Sequence, residues 1–386
     1  MAKPVLIAFG GVSAEHEVSV ITGLQVLEHI DMAAYEPHVL YVTKRGELQH
    51  LPGLKNRKGF SSAPRKEAVF GNDARGGFLG VKGLGGVSKI YPYAAYFAFH
   101  GGKGEGGSMQ GLLDEIDIPF TSPGQESSAI AMNKALTRTT MQAAGIPVAP
   151  GLSVMADELK HDNATAAAAH IIAALGLPAI VKPVHLGSSI GIAVAHTEVE
   201  LQKRLLEAAF VDNEILVEKY LSLEAEYNCA VRGINKGGAD GGASIEVSEI
   251  ERPLAKDEIL SFADKYQRGQ KKTGGGGMAS LSRELPARID DNLRNTIRSI
   301  AAKAFRASRA KGMVRIDFML DKGGALYLTE INPIPGSMAF YLWEASGIPF
   351  KEQITDLIEQ AVRDAETARG TRLDYETDII QKFTAQ

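Results

Sequence analysis

The residues best suited to chemistry sit near the end of the chain, in two largely apolar runs, GMVRIDFML at 312–320 and ALYLTEIN at 325–332. They carry Arg315, Asp317, Glu330 and Asn332, and the Asp-Lys-Gly-Gly sequence between them predicts a hairpin turn. Side chains along a strand alternate between faces. A symmetric two- or four-residue loop sets Leu320 opposite Ala325, Arg315 opposite Glu330 and Asp317 opposite Leu328. Arg315, Asp317, Glu330 and Asn332 then share one face, whereas a three- or five-residue loop breaks the alignment. Two carboxylates, an amide oxygen and a guanidinium in one row suit Mg²⁺, which takes a few protein oxygens and completes its shell with phosphate and water. The competing reading is a cross-strand ion pair at a sheet rim.

A second feature is phosphate-like. Lys182 ends a predicted strand and precedes GSSIG at 187–191, where small residues let backbone N–H groups approach an anion. Lys134 lies on the helix before it. The chain contains no GxxxxGK[ST] loop, and a plain Gly-Ser turn is the alternative. A third feature follows His100, where GKGEGG at 102–107 fits GxGxxG after a strand and before a helix, with Glu126 some twenty residues on. An oxidoreductase built on it would bind NAD(H) tightly and turn over no ATP. The match lies far from the N-terminal strand, and its helix is short, which disfavours that reading.

These residues need strands and turns to hold them. Residues 4–9 predict a buried strand ended by Gly10 and Gly11, with a helix over 13–30 and a strand over 39–42. Residues 44–92 read as an irregular insertion. A strand at 93–99, a short helix at 109–116 and a strand at 118–121 complete an α/β unit with an open parallel sheet. Further on come helices at 127–144, 164–175 and 199–209, strands at 179–182, 192–195 and 214–220, and a final helix at 350–369. The chain thus divides into units 1–126, 127–213 and 214–386, with glycine-rich segments at 237–242 and 274–277.

Composition narrows the classes. In 386 residues, 42 Lys and Arg against 46 Asp and Glu give a net charge of −4. A protein that works on nucleic acid or an anionic membrane usually carries a basic excess, which is missing here. The single cysteine, Cys229, excludes an internal disulfide, reads as a small core residue and is compatible with a reducing cytoplasm. No apolar run reaches the roughly 18 residues of a membrane span, and the first residues read as a strand rather than a signal peptide. Gly accounts for 41 residues, gathered in clusters that coincide with the candidate loops.

Several blocks, in order, resemble the D-alanine–D-alanine ligase family of the ATP-grasp superfamily. They are GGVSAEHEVS at 10–19, HGGKGEGG with QGLL at 110–113, Asn133-Lys134, IVKP at 180–183 with GSSIG, and Glu218-Lys219. Lys265-Tyr266, Arg315-Ile316-Asp317 and EINP at 330–333 with Pro335-Gly336 complete the set. The resemblance spans residues 4 to about 360. It implies an ATP-grasp fold, with central and C-terminal subdomains enclosing ATP, a flap around 255–285, and a cytoplasmic homodimer, as is common in the family. It also implies ligation through an acyl phosphate. Asp317, Glu330 and Asn332 match the family's ligands for Mg²⁺, two ions in number and replaceable by Mn²⁺. Arg315 matches the residue that stabilises the tetrahedral intermediate. Lys134 and Lys182 match phosphate contacts, Glu218, Lys219 and Leu221 the adenine-binding segment, and Glu226 the ribose contact. Glu15 resembles the acid that receives the first amino acid's ammonium, and His100 the substrate-side histidine. Ser188 and Tyr266 are similar to the pair that ties the flap to the N-terminal domain, with Lys265 beside the γ-phosphate. Gly336, Tyr341 and Leu342 fall at the second amino acid's site.

The chain departs from the pattern there. Tyr341 stands where the family has a serine that helps hold the second carboxylate, and Phe340 and Trp343 add bulk. The resemblance therefore leaves room for another amino-acid pair, and for a non-catalytic ATP-binding homologue. The joint presence of Arg315, Asp317, Glu330 and Asn332 disfavours the latter. Tyr266 favours an amino acid over a hydroxy acid as second substrate.

Overall fold

The computed structural model describes residues 2–160, 163–187, 190–235, 244–254, 283–370 and 379–384. The first strand, β1 (Lys3–Gly10), is covered on both sides, so its sequence is continuously apolar rather than alternating. It pairs in parallel with β2 (Tyr35–Val42) on one side and β7 (Ala94–Phe97) on the other. Helix α1 (His16–His29) makes the crossover from β1 to β2. Gly10 ends β1 at φ +96°, where a Cβ would lie 2.2 Å from the Val42 carbonyl oxygen, so the turn into the site requires glycine.

Residues 44–92, expected to be irregular, extend this sheet. Strands β3 (Leu48–Leu51), β4 (Lys66–Asp73), β5 (Gly76–Gly83) and β6 (Gly86–Ile90) form an antiparallel meander, giving the order β6-β5-β4-β3-β2-β1-β7. The sheet is parallel only around β1. The glycines that read as loop occupy close-packed strand positions: a Cβ on Gly77 would stand 2.1 Å from the Ile116 carbonyl oxygen.

The glycine cluster after β7 folds into α2 (Gly102–Glu105), followed by α3 (Ser108–Glu115). The strand expected at 118–121 is reduced to one parallel bridge, Ala95 to Phe120. The helix expected at 127–144 is two, α4 (Gln125–Ala131) and α5 (Lys134–Ala143). Asn133 separates them: its backbone is extended, and its side-chain oxygen accepts from the Leu136 N–H at 2.7 Å.

A second sheet, order β10-β9-β11-β8, contains β8 (Gly151–Met155), β9 (Ala179–Pro183), β10 (Ala193–Ala195) and β11 (Glu214–Lys219), all antiparallel. Helices α6 (Ala164–Leu175) and α7 (Glu198–Val211) bury Ala168, Ile171, Leu201 and Leu205 against Val181 and Val217. The third sheet, β13-β12-β16-β17, is also antiparallel. It comprises β12 (Leu223–Ile234), β13 (Ser244–Val247), β16 (Met313–Asp321) and β17 (Leu326–Asn332). Helix α8 (Asp291–Ala307) packs Ile297, Ala301 and Phe305 with Val314 and Ile316, and Cys229 lies fully buried in the same core. A short ladder of β14 (Arg252–Pro253) and β15 (Arg283–Glu284) flanks this sheet.

After α9 (Phe340–Ala345), helix α10 (Phe350–Arg369) returns to the first sheet, where Ile354, Leu357 and Ile358 share one core with β1 and β7. Glu359 on α10 accepts from Lys3 Nζ at 2.9 Å and from the Tyr35 and Tyr93 hydroxyls at 2.7 Å each. The end of the chain is thereby fastened to its beginning.

Candidate active site

The β16–β17 hairpin differs from the expected register, yet the expected face survives. The Asp321 N–H bonds to the Ala325 carbonyl at 3.0 Å, enclosing a three-residue turn with Gly324 at φ +83°. Leu320 therefore faces Leu326, and Phe318 faces Leu328. That odd loop alone would put Glu330 on the wrong side. A β-bulge shifts the register again at Thr329, whose hydroxyl donates to the Asp317 carbonyl at 3.0 Å. Beyond it Asp317 faces Glu330, not Leu328, and Arg315 faces Asn332, not Glu330. The two one-residue offsets add to two, which moves the pairing but restores the face. Arg315 clamps Asp317 in a bidentate pair, Nε and Nη2 each 2.8 Å from an oxygen, while the Asn332 amide donates to Asp317 Oδ2 at 3.2 Å. Buried carboxylate contact holds the Arg315 pKa far above its usual value, against the opposing pull of desolvation.

This row floors a cavity of about 190 Å³ between the second and third sheets. Lys134, Lys182, Glu218, Lys219, Leu221 and Glu226 line it together with Arg315, Asp317 and Glu330. Its walls include Ile180, Leu216 and Met319. Lys182, on β9, pairs with Glu218 two residues beyond its partner Leu216 on β11. Lys134 opens α5 and donates to the Leu186 carbonyl at 2.5 Å. Burial lowers its pKa, and the Glu330 charge partly offsets that. The loop carrying Leu186 is held at His185, whose ring contacts the Asn133 amide at 3.1 Å and Asp212 at 2.9 Å. His185 thereby joins the α5 cap to the end of α7.

A smaller cavity of about 60 Å³ adjoins the first and shares Lys134, Arg315 and Glu330 with it. Glu15, His100, Asn332, Gly336 and Gly187 line it. A Cβ on Gly187 would lie 2.9 Å from Glu15 Oε2, so glycine lets this loop close on the acid. His100 is buried, and its Nε2 lies 2.8 Å from Thr22 Oγ1. Desolvation pulls its pKa down to about 4, so the ring is neutral near pH 7.

Glu105, unremarked as a site residue from sequence, also lines the smaller cavity. It accepts from the Gly101 N–H at 2.5 Å and the Ile334 N–H at 3.2 Å. Burial, reinforced by the Glu15 charge, raises its pKa to about 8. Its position inside the glycine cluster after His100 was the available signal. Asn228 and Glu251, which line the larger cavity, had none, because their placement depends on β12 pairing with β16.

Tyr341 and Leu342 line neither cavity. Leu342 is fully buried in the core beside Trp343. The Tyr341 hydroxyl donates to Glu251 Oε2 at 3.0 Å, and its ring lies 4.3 Å below the Arg283 guanidinium. Arg283 in turn pairs with Glu251 at 2.8 Å. Ser188, Lys265, Tyr266 and the glycine runs at 237–242 and 274–277 lie outside the described residues.

Chemically, the larger cavity offers cationic lysines at one end and oxygen ligands on its floor, a setting for a polyphosphate with a divalent cation. The smaller one sets the Glu15 carboxylate and the Arg315 guanidinium around one small volume, complementary to the two ends of an amino acid.

Comparisons with known proteins agree with that chemistry. The family model described as D-ala D-ala ligase N-terminus matches residues 4–123, and the one described as D-ala D-ala ligase C-terminus matches residues 140–359. A D-alanine–D-alanine ligase of Thermosipho africanus is 34% identical over 379 residues, covering 96% of each chain. One of Chlorobium chlorochromatii is 35% identical over 372 residues, 93% of this chain and 97% of that one. Among solved structures, the VanG D-Ala:D-Ser ligase of Enterococcus faecalis superposes with a TM-score of 0.77 at 25% identity, covering 94% of this chain and all of the other. The Coxiella burnetii D-alanine–D-alanine ligase shares the fold with a TM-score of 0.78 at 22% identity, covering 96% of each. The chain belongs to the D-alanine–D-alanine ligase family, with its ATP-grasp fold.

Proposed function

We propose that this protein is an ATP-dependent carboxylate–amine ligase that joins two D-alanine molecules, supplying a dipeptide for peptidoglycan synthesis. The observation that carries this reading is the sharing of Lys134, Arg315 and Glu330 by the polyphosphate-suited cavity and the amino-acid-sized one. A carboxylate in the second lies beside a phosphoryl group in the first. A carboxylate oxygen of the first substrate attacks the γ-phosphorus and ADP leaves. The second substrate's amine then attacks the acyl carbon, and phosphate departs with the C–O bond electrons.

The residues present take these roles directly. Lys134 and Lys182 bind phosphate oxygens, while Glu218, Lys219, Leu221 and Glu226 bind the nucleoside. Lys182 must exchange its Glu218 partner for phosphate. Glu15 receives the first ammonium, with His100 beside it, Arg315 stabilises the oxygen that becomes negative during acyl transfer, and Gly336 contributes to the amino-acid site. Ser188, Lys265 and Tyr266, which lie outside the described residues, are assigned to catalysis by the family resemblance alone.

Among the described residues no group of three His, Cys, Asp or Glu side chains could hold a metal unaided. Two carboxylates and one amide, as Asp317, Glu330 and Asn332 provide, fit Mg²⁺ that is completed by phosphate oxygens. Bound there, Mg²⁺ or Mn²⁺ would neutralise charge on the transferring phosphoryl group. No described helix is long and apolar enough to cross a membrane. We place the enzyme in the cytoplasm as a homodimer acting on small molecules, with neither nucleic acid nor membrane as partner.

A second reading, a different second amino acid, is favoured by one observation: the Tyr341 hydroxyl is engaged by Glu251 and its ring by Arg283. One assay decides between them. The protein is incubated with ATP, Mg²⁺ and a panel of D- and L-amino acids, and phosphate release and product mass are followed. Amino-acid-dependent ADP formation with a D-alanyl-D-alanine mass is expected. Its absence across the panel refutes the ligase reading, and a different dipeptide supports the second one.

A further inference from the structure

The loop that follows Asn332 contains an unusual backbone. Ser337, Met338 and Ala339 stand consecutively at φ +51°, +53° and +46°, with no glycine among them. Each L-residue in the left-handed region is strained by its Cβ against the following carbonyl oxygen, and such a run persists only where its surroundings over-determine it. The fastening points come from two distant elements. The Ser337 N–H donates to Thr22 Oγ1 on α1 at 3.1 Å, and the Met338 carbonyl accepts from Gln353 Nε2 on α10 at 2.8 Å. Thr22 is fully buried.

A threonine hydroxyl has one proton and two lone pairs. The Ser337 N–H takes one lone pair, and among the described residues His100 Nε2, 2.8 Å away, is the one acceptor in reach of the hydroxyl proton, which is therefore directed at it. The other ring nitrogen, Nδ1, is thereby left to carry the hydrogen, and the ring makes a further hydrogen bond to the Ile334 backbone. One hydroxyl thus joins the rotamer and tautomer of His100 to the placement of Gly336–Ala339. Both His100 and Gly336 line the amino-acid-sized cavity, and Thr22 itself does not.

We infer that Thr22 is a positioning residue, whose hydroxyl sets the His100 imidazole and the left-handed segment after Gly336 in one geometry around the amino-acid site. The inference rests on the ligase reading for its kinetic consequence but not for its structural one. The test compares Thr22→Val, which keeps the shape and removes the hydroxyl, with Thr22→Ser, which restores it. In ¹⁵N-histidine-labelled full-length protein, His100 is expected as the Nδ1–H tautomer in the parent and in Thr22→Ser. In Thr22→Val that population should become mixed or inverted. Amino-acid-dependent kcat/KM is expected to fall at least tenfold in Thr22→Val with the KM for ATP within twofold, and to recover to within about threefold of the parent in Thr22→Ser. An unchanged tautomer in Thr22→Val overturns the inference whatever the activity. So does a Thr22→Ser variant as impaired as Thr22→Val, or a parallel loss of ATP affinity. A parent protein with the expected tautomer and no amino-acid-dependent turnover instead counts against the ligase reading.

Discussion

Asp317 and Glu330 face each other across β16 and β17 because the bulge at Thr329 adds a second one-residue offset to that of a three-residue turn. Their opposition makes the pair a candidate cation site, and each should act through the metal. Asp317→Asn and Glu330→Gln are each expected to raise the Mg²⁺ concentration for half-maximal ADP formation by about tenfold or more. Metal titration at saturating ATP checks this; unchanged Mg²⁺ dependence in both variants would remove the pair from the metal site.

Arg315 separates binding from turnover. Its guanidinium is buried, bidentate to Asp317 and exposed to both cavities, a geometry that an ammonium reproduces poorly. Arg315→Lys is expected to lower kcat by roughly 10²–10³-fold, the usual cost of losing a donor to a developing oxyanion. Nucleotide affinity, read by calorimetry, should stay within about threefold. A larger loss of affinity than of kcat contradicts the assignment.

Lys182 and Glu218 form a part-buried ion pair inside the larger cavity. Removing the ammonium with Lys182→Met should weaken ATP binding by about 10–100-fold, the scale of one or two charge-assisted hydrogen bonds. The preference for ATP over adenosine should narrow by the same factor in the variant, and an unchanged preference would remove Lys182 from the phosphate contacts.

Glu105 carries a pH signature. Its folded pKa is raised to about 8 from a usual value of 4.5, chiefly by burial. The unfolded state therefore releases this proton first as pH rises, and the contribution of Glu105 to stability declines from about pH 4.5 until the folded group ionises near 8. Glu105→Gln keeps the neutral shape and removes the titration. Relative to the parent, its melting temperature should be higher at pH 8.5 than at pH 5. A difference that does not change with pH means that Glu105 is ionised throughout.

The Tyr341 hydroxyl closes a buried cluster with Glu251 and Arg283. Tyr341→Phe leaves one oxygen of Glu251 without that donor and is expected to cost about 1–3 kcal/mol in urea unfolding. Tyr341→Ser opens space beside Arg315 and should broaden the range of accepted second amino acids, scored by product mass. An unaltered range would separate Tyr341 from selectivity.

What could be read from sequence follows from local physics. A continuous apolar run becomes a doubly covered strand, as in β1. A sustained amphipathic pattern becomes a helix, and the one expected at residues 350–369 is observed there, although a further short helix, Ile379–Thr384, follows it. Alternation along strands placed Arg315, Asp317, Glu330 and Asn332 on one face, although the assumed pairing was off by two residues in sum. Glycine was ambiguous: in residues 44–92 it looked like loop, and in the fold it lets Gly71 lie under Phe78 and Gly77 under a carbonyl. Close approach is a property of two segments, and only one of them is local.

The chain by itself determined which side chains are available and which of them share a strand face, because strand geometry repeats every two residues. Tertiary structure decided which neighbours they meet. Glu105 gained its raised pKa from burial beside Glu15, ninety residues earlier in the chain. Tyr341 was committed to Glu251 rather than to a cavity, and Thr22 was brought between His100 and Ser337. Desolvation and hydrogen-bond saturation depend on everything packed around a group, so they exist only once the sheets have closed on one another.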